Sequence, residues 1–345
     1  MQPLKRKHYL TLAVTLLLLA AAGGFYSVYC QMNSPLLSAK DTHYLYIDDD
    51  DTADSVFDKL SAVSTKEGMK GMRRLANHYD YALSIRTGRY AISPQTSVLN
   101  VFRQLRNGQQ EPLMLTVPAV RTMDRMAARL SARLMLDSAT IAGALYDEAF
   151  CLNLGYDTTT IACIFIPDTY EVYWNTTLEK LMQRMGKEHD AFWNADRRKK
   201  AEAQGLTPNE VATLASIIDE ETANESEKPM IAGMYLNRIR RGMLLQADPT
   251  VKYALKDFTL RRILNKHLGA DSPYNTYKYS GLPPGPIRVA SVASIEAVLN
   301  PEENDYLYMC AKEDFSGTHN FARTLAEHIQ NAHRYQQALN KRGIK

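Results

Sequence analysis

The chain has 345 residues, of which 45% are hydrophobic, 23% charged and 9% aromatic, with 17 Gly and 14 Pro. Those proportions exclude collagen-like, low-complexity and wholly disordered chains, and the length supports a sizeable core and about two domains. The 41 basic residues exceed the 38 acidic ones by three. Lys5, Arg6 and Lys7, in a first thirty residues without an acid, account for that excess. No basic surplus remains to grip a phosphate backbone, so a nucleic-acid partner is not expected.

From Tyr9 to Cys30 the chain carries no charge. As a helix at about 1.5 Å per residue this run spans roughly 33 Å, enough to cross a hydrocarbon core of roughly 30 Å. The three preceding cations predict a cytoplasmic N-terminus, and Tyr26 and Tyr29 suit the far interface. Ala20-Ala21-Ala22 also offers the small-residue pattern of a cleaved signal peptide. The apolar run continues past it through Phe25 and Val28, which favours a retained anchor. Either reading exports everything after residue 30.

Residues 31–42 read as a linker. Tyr44–Ile47 alternates like a strand and enters the acidic run Asp48–Asp51, a solvated turn and helix start with a cation site as the alternative. Helical spacing follows over Thr52–Leu60 and Lys70–Tyr79, then a strand over Gly88–Ile92. A helix carrying Val98, Val101, Phe102 and Leu105 ends at Asn107-Gly108. This small unit closes near Gln110. Beyond it come a strand, Leu113–Val117, and an arginine-rich helix, Thr122–Leu136. The basic run Arg197–Lys200 is a solvated helix face.

Several chemistries lack their usual residues. Cys30, Cys151, Cys163 and Cys310 show no CxxC spacing, and the eight histidines form no HExxH pattern, so no metal site is expected. Cys151 and Cys163 read equally as a disulfide or as small buried hydrophobes. Walker, GxGxxG and GxSxG motifs are missing from the sequence, and no cofactor is called for.

Thr207-Pro208-Asn209-Glu210 is a helix start with a capping residue, a proline at the first position and a capping-box glutamate. Stepping about 100° per residue from Leu214 places Val211, Ile217 and Ile218 on one apolar face. Glu221 falls within about 20° of the middle of that face, while Asp219 and Glu220 fall roughly 120–140° away. Glu221 alone of the three acids is thus predicted to point inward. An inward carboxylate is either a hydrogen-bonded structural group or a cleft acid whose burial raises its pKa, as a general acid requires. A second helix runs from near Pro229 to Gly242, with Asn237-Arg238 at its polar edge. Leu245–Thr250 follows, and Ser272–Tyr279 interleaves rings with amides ahead of a loop holding Pro283, Pro284 and Pro286. Such rings and amides suit sugars, whose faces stack and whose hydroxyls need paired partners; core tyrosines and a plain turn are the other reading.

The run LASIIDEETANESEKPMIAGMYLNRIRRGMLLQADPTVKYAL, with SPYNTYKYSGLPPGPI and Phe315–His328, resembles the signature of the YceG-like (MltG) endolytic murein transglycosylase family. Ile166–Thr177 and Gly88–Gln109 are also similar to segments of that family. The resemblance implies an α+β architecture. Its parts are a cytoplasmic stub and transmembrane helix over 1–30, a small LysM-like α/β module over 43–110, and a mixed α+β catalytic domain over 111–345 with a lysozyme-like helical active-site core. It implies peptidoglycan glycan strands as substrate, cleaved without water at the MurNAc–GlcNAc β-1,4 bond to leave 1,6-anhydroMurNAc ends and so to terminate glycan elongation. It also implies a single-pass protein of the bacterial inner membrane with its catalytic domain outside the cytoplasm, beside peptidoglycan synthases. The family's acid maps to Glu221, immediately before Thr222. The family commonly has Glu where this chain has Asp219, and often Lys where it has Glu220, which alters the local charge. Candidate substrate-binding residues are Asn237, Gln246, Asp248, Tyr274, Asn275, Tyr277, His319 and Asn320, with Asp248 the candidate second carboxylate. A muramidase-type hydrolase and a non-catalytic glycan-binding scaffold are the alternative functions.

Overall fold

The computed structural model describes residues 3–260 and 262–343, with side chains from residue 8 onward. The three cations that set the predicted orientation of the first helix therefore lie outside the described side chains. That helix, α1, covers Pro3–Asn33, and its stretch His8–Asn33 is long and apolar enough to cross a membrane. Tyr9, Leu17, Phe25 and their neighbours along it are exposed, as a helix whose hydrophobic partner is lipid should be.

The chain divides into two compact units, Met1–Met114 with Glu171–Thr176, and Leu115–Tyr170 with Thr177–Lys345. In the first, β1 (His43–Ile47), α2 (Ala53–Ser61), α3 (Lys66–His78), β2 (Gly88–Ile92) and α4 (Val98–Asn107) follow α1. Strands β1 and β2 pair antiparallel, with Leu45 opposite Tyr90 and Ile47 opposite Gly88. Strict alternation sends Leu45, Ile47, Tyr90 and Ile92 inward onto Val56, Phe57, Leu60, Met72, Val101 and Phe102. The acidic run leads into the cap of α2, Thr52, and Asp51 accepts from the Ser55 hydroxyl at 2.6 Å and pairs with Lys59. Helix α4 ends at Gly108, whose φ of 67° is the left-handed cap that the Asn-Gly pair predicts. Residues 34–38, expected as linker, are stitched into this unit. Leu36 and Leu37 are buried in its core. Leu36 N donates to Thr96 O at 3.1 Å, Thr65 N to Leu36 O at 2.9 Å, and Val98 N to Ser34 O at 3.0 Å.

The second unit contains α5 (Met123–Ser131), α6 (Ser138–Leu145), α7 (Glu148–Asn153), α8 (Leu178–Phe192), α9 (Ala195–Ala203), α10 (Pro208–Glu221), α11 (Lys228–Arg240), α12 (Asp248–Ala254), α13 (Asn265–Leu268), α14 (Val292–Leu299) and α15 (Leu325–Lys341), with the hairpin β5 (Tyr308–Ala311) and β6 (His319–Ala322). A further two-stranded sheet pairs β3 (Leu113–Val117) with β4 (Asp168–Val172). Helix α5 stops five residues short of the expected Leu136. Cys151 and Cys163 are both buried free thiols.

Helix α10 lies at the centre of this unit. Its start carries the expected capping box, with the Glu210 carboxylate accepting from Thr207 N at 2.8 Å. Every residue from Val211 to Ile218 is buried, in one cluster with Ile231, Tyr235, Leu245, Ile295 and Val298. The helix is therefore surrounded on all sides, and a one-faced amphipathic reading of it fails. Gly233 on α11 permits close approach of the following chain, since a Cβ there would stand 2.3 Å from Glu302 O.

Candidate active site

Because α10 has no solvent face, its three terminal acids all turn into protein. Asp219 and Glu220, expected to point away, are buried at 6% and 11% side-chain exposure, which corrects that reading. Asp219 accepts from Lys228 Nζ at 2.8 Å, Ser291 N at 2.6 Å, Ser291 Oγ at 2.7 Å and Ser294 Oγ at 2.6 Å. Burial acts to raise its pKa, but the ammonium and the donors from Ser291 and Ser294 hold the carboxyl below its usual value. Glu220 receives Arg121 through two bonds of 2.7 Å and Arg288 through one of 2.9 Å. These two pairs tie the end of α10 to α11, α14 and the segments at 121 and 288.

Glu221 differs in having no cation bonded to it among the described residues. Its side chain is enclosed by protein over most of its surface and still reaches the open volume of a cleft. Tyr235 Oη donates to Glu221 Oε1 at 2.8 Å. Desolvation by burial pushes its pKa up to about 7; the Tyr235 bond and Lys252 oppose the rise, and the charges of Asp248 and Glu220 add to it. The Tyr235 phenol, buried beside Glu221, is raised well above its ordinary value and stays a donor.

The cleft has a volume of about 460 Å³, within the range of small-ligand sites. Tyr235, Arg238 and Leu245 line it together with Gln246, Asp248 and Tyr277; β5, His319, Leu325 and His328 supply further wall. The wall segment 246–248 is fixed from behind. Gln246 N donates to Thr276 O at 3.1 Å, Ala247 N to Thr276 Oγ1 at 3.0 Å, and the Thr250 and Thr276 hydroxyls lie 2.8 Å apart. These bonds hold Gln246 at φ 51°, a left-handed conformation that a non-glycine residue adopts only under constraint. Tyr277 Oη donates to Asp248 Oδ1 at 2.6 Å.

Of the predicted residues, Glu221, Gln246, Asp248, Tyr277 and His319 come together in this cleft. His319 is steadied by Glu227, which accepts from its backbone N at 2.8 Å and sits 3.2 Å from Nδ1. The others lie elsewhere. Asn237 donates to Asn304 O at 2.7 Å and Tyr306 O at 3.2 Å, pinning the chain after α14 against α11. Asn275 is fully buried and donates to Leu268 O and Ala270 O, both at 2.8 Å, so its amide is spent on shaping the loop. Tyr274 packs on Tyr253 at a ring distance of 4.6 Å. Asn320 donates to Glu313 Oε2 at 2.7 Å across the hairpin turn. Sequence reasoning missed Tyr235, Tyr308 and His328 and placed Arg238 only at a polar edge. One signal was present for Tyr235: a phenol inside an apolar helix stripe needs a buried partner for its hydroxyl.

Residues 45–334 match the model of the YceG-like family. The chain is 30% identical over 283 residues to the endolytic murein transglycosylase of Bacillus subtilis (strain 168), covering 76% of this chain and 77% of that protein. It is 27% identical over 267 residues to the protein of the same name from Streptococcus pneumoniae (strain D39), covering 68% of this chain and 48% of the longer relative. A crystal structure of a YceG-like protein from Listeria monocytogenes superposes with a TM-score of 0.54 at 27% identity, covering 85% of this chain and 99% of that one. With the family model spanning most of its length and a relative of matching extent, the chain belongs to the YceG-like family.

Proposed function

We propose that this chain is a membrane-anchored lytic transglycosylase of peptidoglycan that cuts within glycan strands, with Glu221 as its acid and base. The observation that carries the reading is the state of Glu221: enclosed, hydrogen-bonded by Tyr235, open to the cleft, and poised near pH 7. As the neutral acid it donates its proton to the glycosidic oxygen while the bond from that oxygen to MurNAc C1 breaks. As the carboxylate it then takes the proton of the MurNAc C6 hydroxyl, whose oxygen bonds to C1 and closes the 1,6-anhydro ring. The nucleophile belongs to the substrate, so one carboxyl serves both steps.

The strand–helix–helix–strand order of β1, α2, α3 and β2 supports a LysM-like module over 43–110. A buried helix delivering its last residue, Glu221, into a cleft supports a lysozyme-like active-site core within 111–345. The apolar α1 supports single-pass anchoring, and Lys5, Arg6 and Lys7 ahead of it support a cytoplasmic N-terminus with the catalytic unit outside, where peptidoglycan synthases are the expected partners and strand termination the outcome.

Hydrolysis by a second carboxylate is the competing reading, because Asp248 lines the same cleft. Tyr277 engages one oxygen of Asp248, which suits a positioning role. Mass spectrometry of products from purified peptidoglycan decides between them: anhydro ends are lighter than reducing ends by one water. Glu221→Gln should fold and release no anhydro ends. Product release by that variant, or reducing ends from the wild type, would reject the reading, and complementation of a deletion by the Gln variant would point to a scaffold.

A further inference from the structure

Two buried acids of the second unit have cations bonded to them: Asp219 has Lys228, and Glu220 has Arg121 and Arg288. Arg238 is a buried cation without such a match. It is 6% exposed and lines the cleft that holds Glu221. Its Nε donates to Leu307 O at 2.5 Å, and its Nη1 donates to Leu244 O at 2.9 Å, Leu245 O at 2.8 Å and Gln246 Oε1 at 3.3 Å. All of those acceptors are neutral. No carboxylate oxygen is paired with it among the described residues, and burial pulls its pKa below the ordinary guanidinium value. Nη2 makes no hydrogen bond among the described residues and is not sealed in, and Arg238 is part of the cleft wall. A buried guanidinium held rigidly by carbonyls, with one edge free toward a cavity and no counter-ion, is arranged for an anion that arrives with the ligand.

A second group on the same wall has the same deficit. The Tyr308 ring lies 5.2 Å from the Arg238 guanidinium and stacks on the His328 imidazole at 5.4 Å. His328 Nδ1 is buried without a partner, and His328 also lines the cleft. Guanidinium, ring and imidazole thus form one cluster, held by α11, β5 and α15. Tyr235 of α11 and Tyr277 of the 272–279 loop lie beside it, and burial raises both phenols above their ordinary value.

We propose that Arg238 and His328 form a carboxylate subsite in the cleft, which reads the acidic substituent of the muramyl sugar. This rests on the peptidoglycan reading above and specifies what the site recognises within that substrate. The 3-O-lactyl arm is what separates a muramyl residue from N-acetylglucosamine. It ends either in its own carboxylate or in a stem peptide that carries others. A strand lacking such a carboxylate leaves the free edge of Arg238 buried and unanswered, so it binds weakly.

The test gives the full-length wild-type protein in detergent two matched pairs of glycan strands. One pair carries stem peptides, with the carboxylates free or converted to carboxamides. The other has lost its peptides, with the lactyl carboxylate free or converted to the amide. Amidation should lower kcat/KM about ten- to hundredfold in one pair, chiefly through KM. A penalty in the first pair assigns the subsite to the stem peptide, and a penalty in the second to the lactyl group. His328→Ala should shrink that penalty, and Arg238→Met should abolish it if its melting temperature shows it folded. Equal cleavage within both pairs by the wild type overturns the inference and leaves the transglycosylase reading standing. Failure to release anhydro ends from any of the four substrates would instead remove the reading on which the inference rests.

Discussion

Replacing Glu221 by Gln should stabilise the fold in a pH-dependent way. Burial raises the carboxyl from 4.5 to about 7, which at about 1.4 kcal/mol per unit amounts to about 3 kcal/mol. The sign follows from which state holds the proton more tightly. Between pH 4.5 and 7 the folded chain keeps the Glu221 proton and the unfolded chain releases it. Stability from this group is therefore complete below pH 4.5 and is lost as pH rises through 7. Glutamine carries no charge at any of these pH values, and its amide oxygen can still accept from Tyr235. The variant should match the wild type at pH 4.5 and exceed it by about 3 kcal/mol at pH 8. For a unit of this size that is roughly 6–12 °C in melting temperature, and the open mouth of the cleft places the effect toward the lower end. Thermal unfolding of both proteins across pH 4.5–8 measures it, with other titrations cancelling in the difference. Curves that stay parallel over that range would refute a desolvated, proton-holding Glu221, whatever the activity of the variant.

Tyr235→Phe removes the donor that favours the Glu221 carboxylate, so the alkaline limb of kcat/KM should move to higher pH while turnover at the optimum falls about tenfold; an unmoved limb would show that the bond does not tune the acid. Lys228→Met strands the buried Asp219 charge and should cost about 3–5 kcal/mol in denaturant unfolding, part of which Asp219→Asn in the same chain restores. Deleting residues 1–30 should leave a soluble, active protein with an unchanged melting temperature. Deleting residues 1–38 also removes Leu36 and Leu37 from the core of the first unit and should cost about 2–5 kcal/mol per leucine. Equal stability of the two truncations would mean that residues 34–38 are a free linker after all.

Local pattern was enough to find much of the framework. The alternation at Gly88–Ile92 and Leu113–Val117 coincides with β2 and β3 as observed, because a strand with one buried face writes period two into its own residues. Thr207 to Glu210 announced the start of α10, since a cap and its box lie within four residues of each other. The strands β5 and β6 carry no such mark. Most of their residues are half-buried on both faces, so neither alternation nor a continuous apolar run appears, and the cleft wall they build went unseen.

The chain order alone determined that a charge-free segment precedes the rest and that a capped helix ends in three acids. Each follows from residues within a few turns of one another. Which acid would remain uncommitted was decided only when helices distant in sequence closed around α10. Lys228 and the serines of α14 took Asp219, Arg121 and Arg288 took Glu220, and Glu221 was left with a phenol and an opening. The same packing spent Asn237 and Asn275 on backbone carbonyls and left an edge of Arg238 bare. An amide or a guanidinium looks alike in sequence whether it serves the chain or a ligand, because the difference lies in which carbonyls arrive beside it.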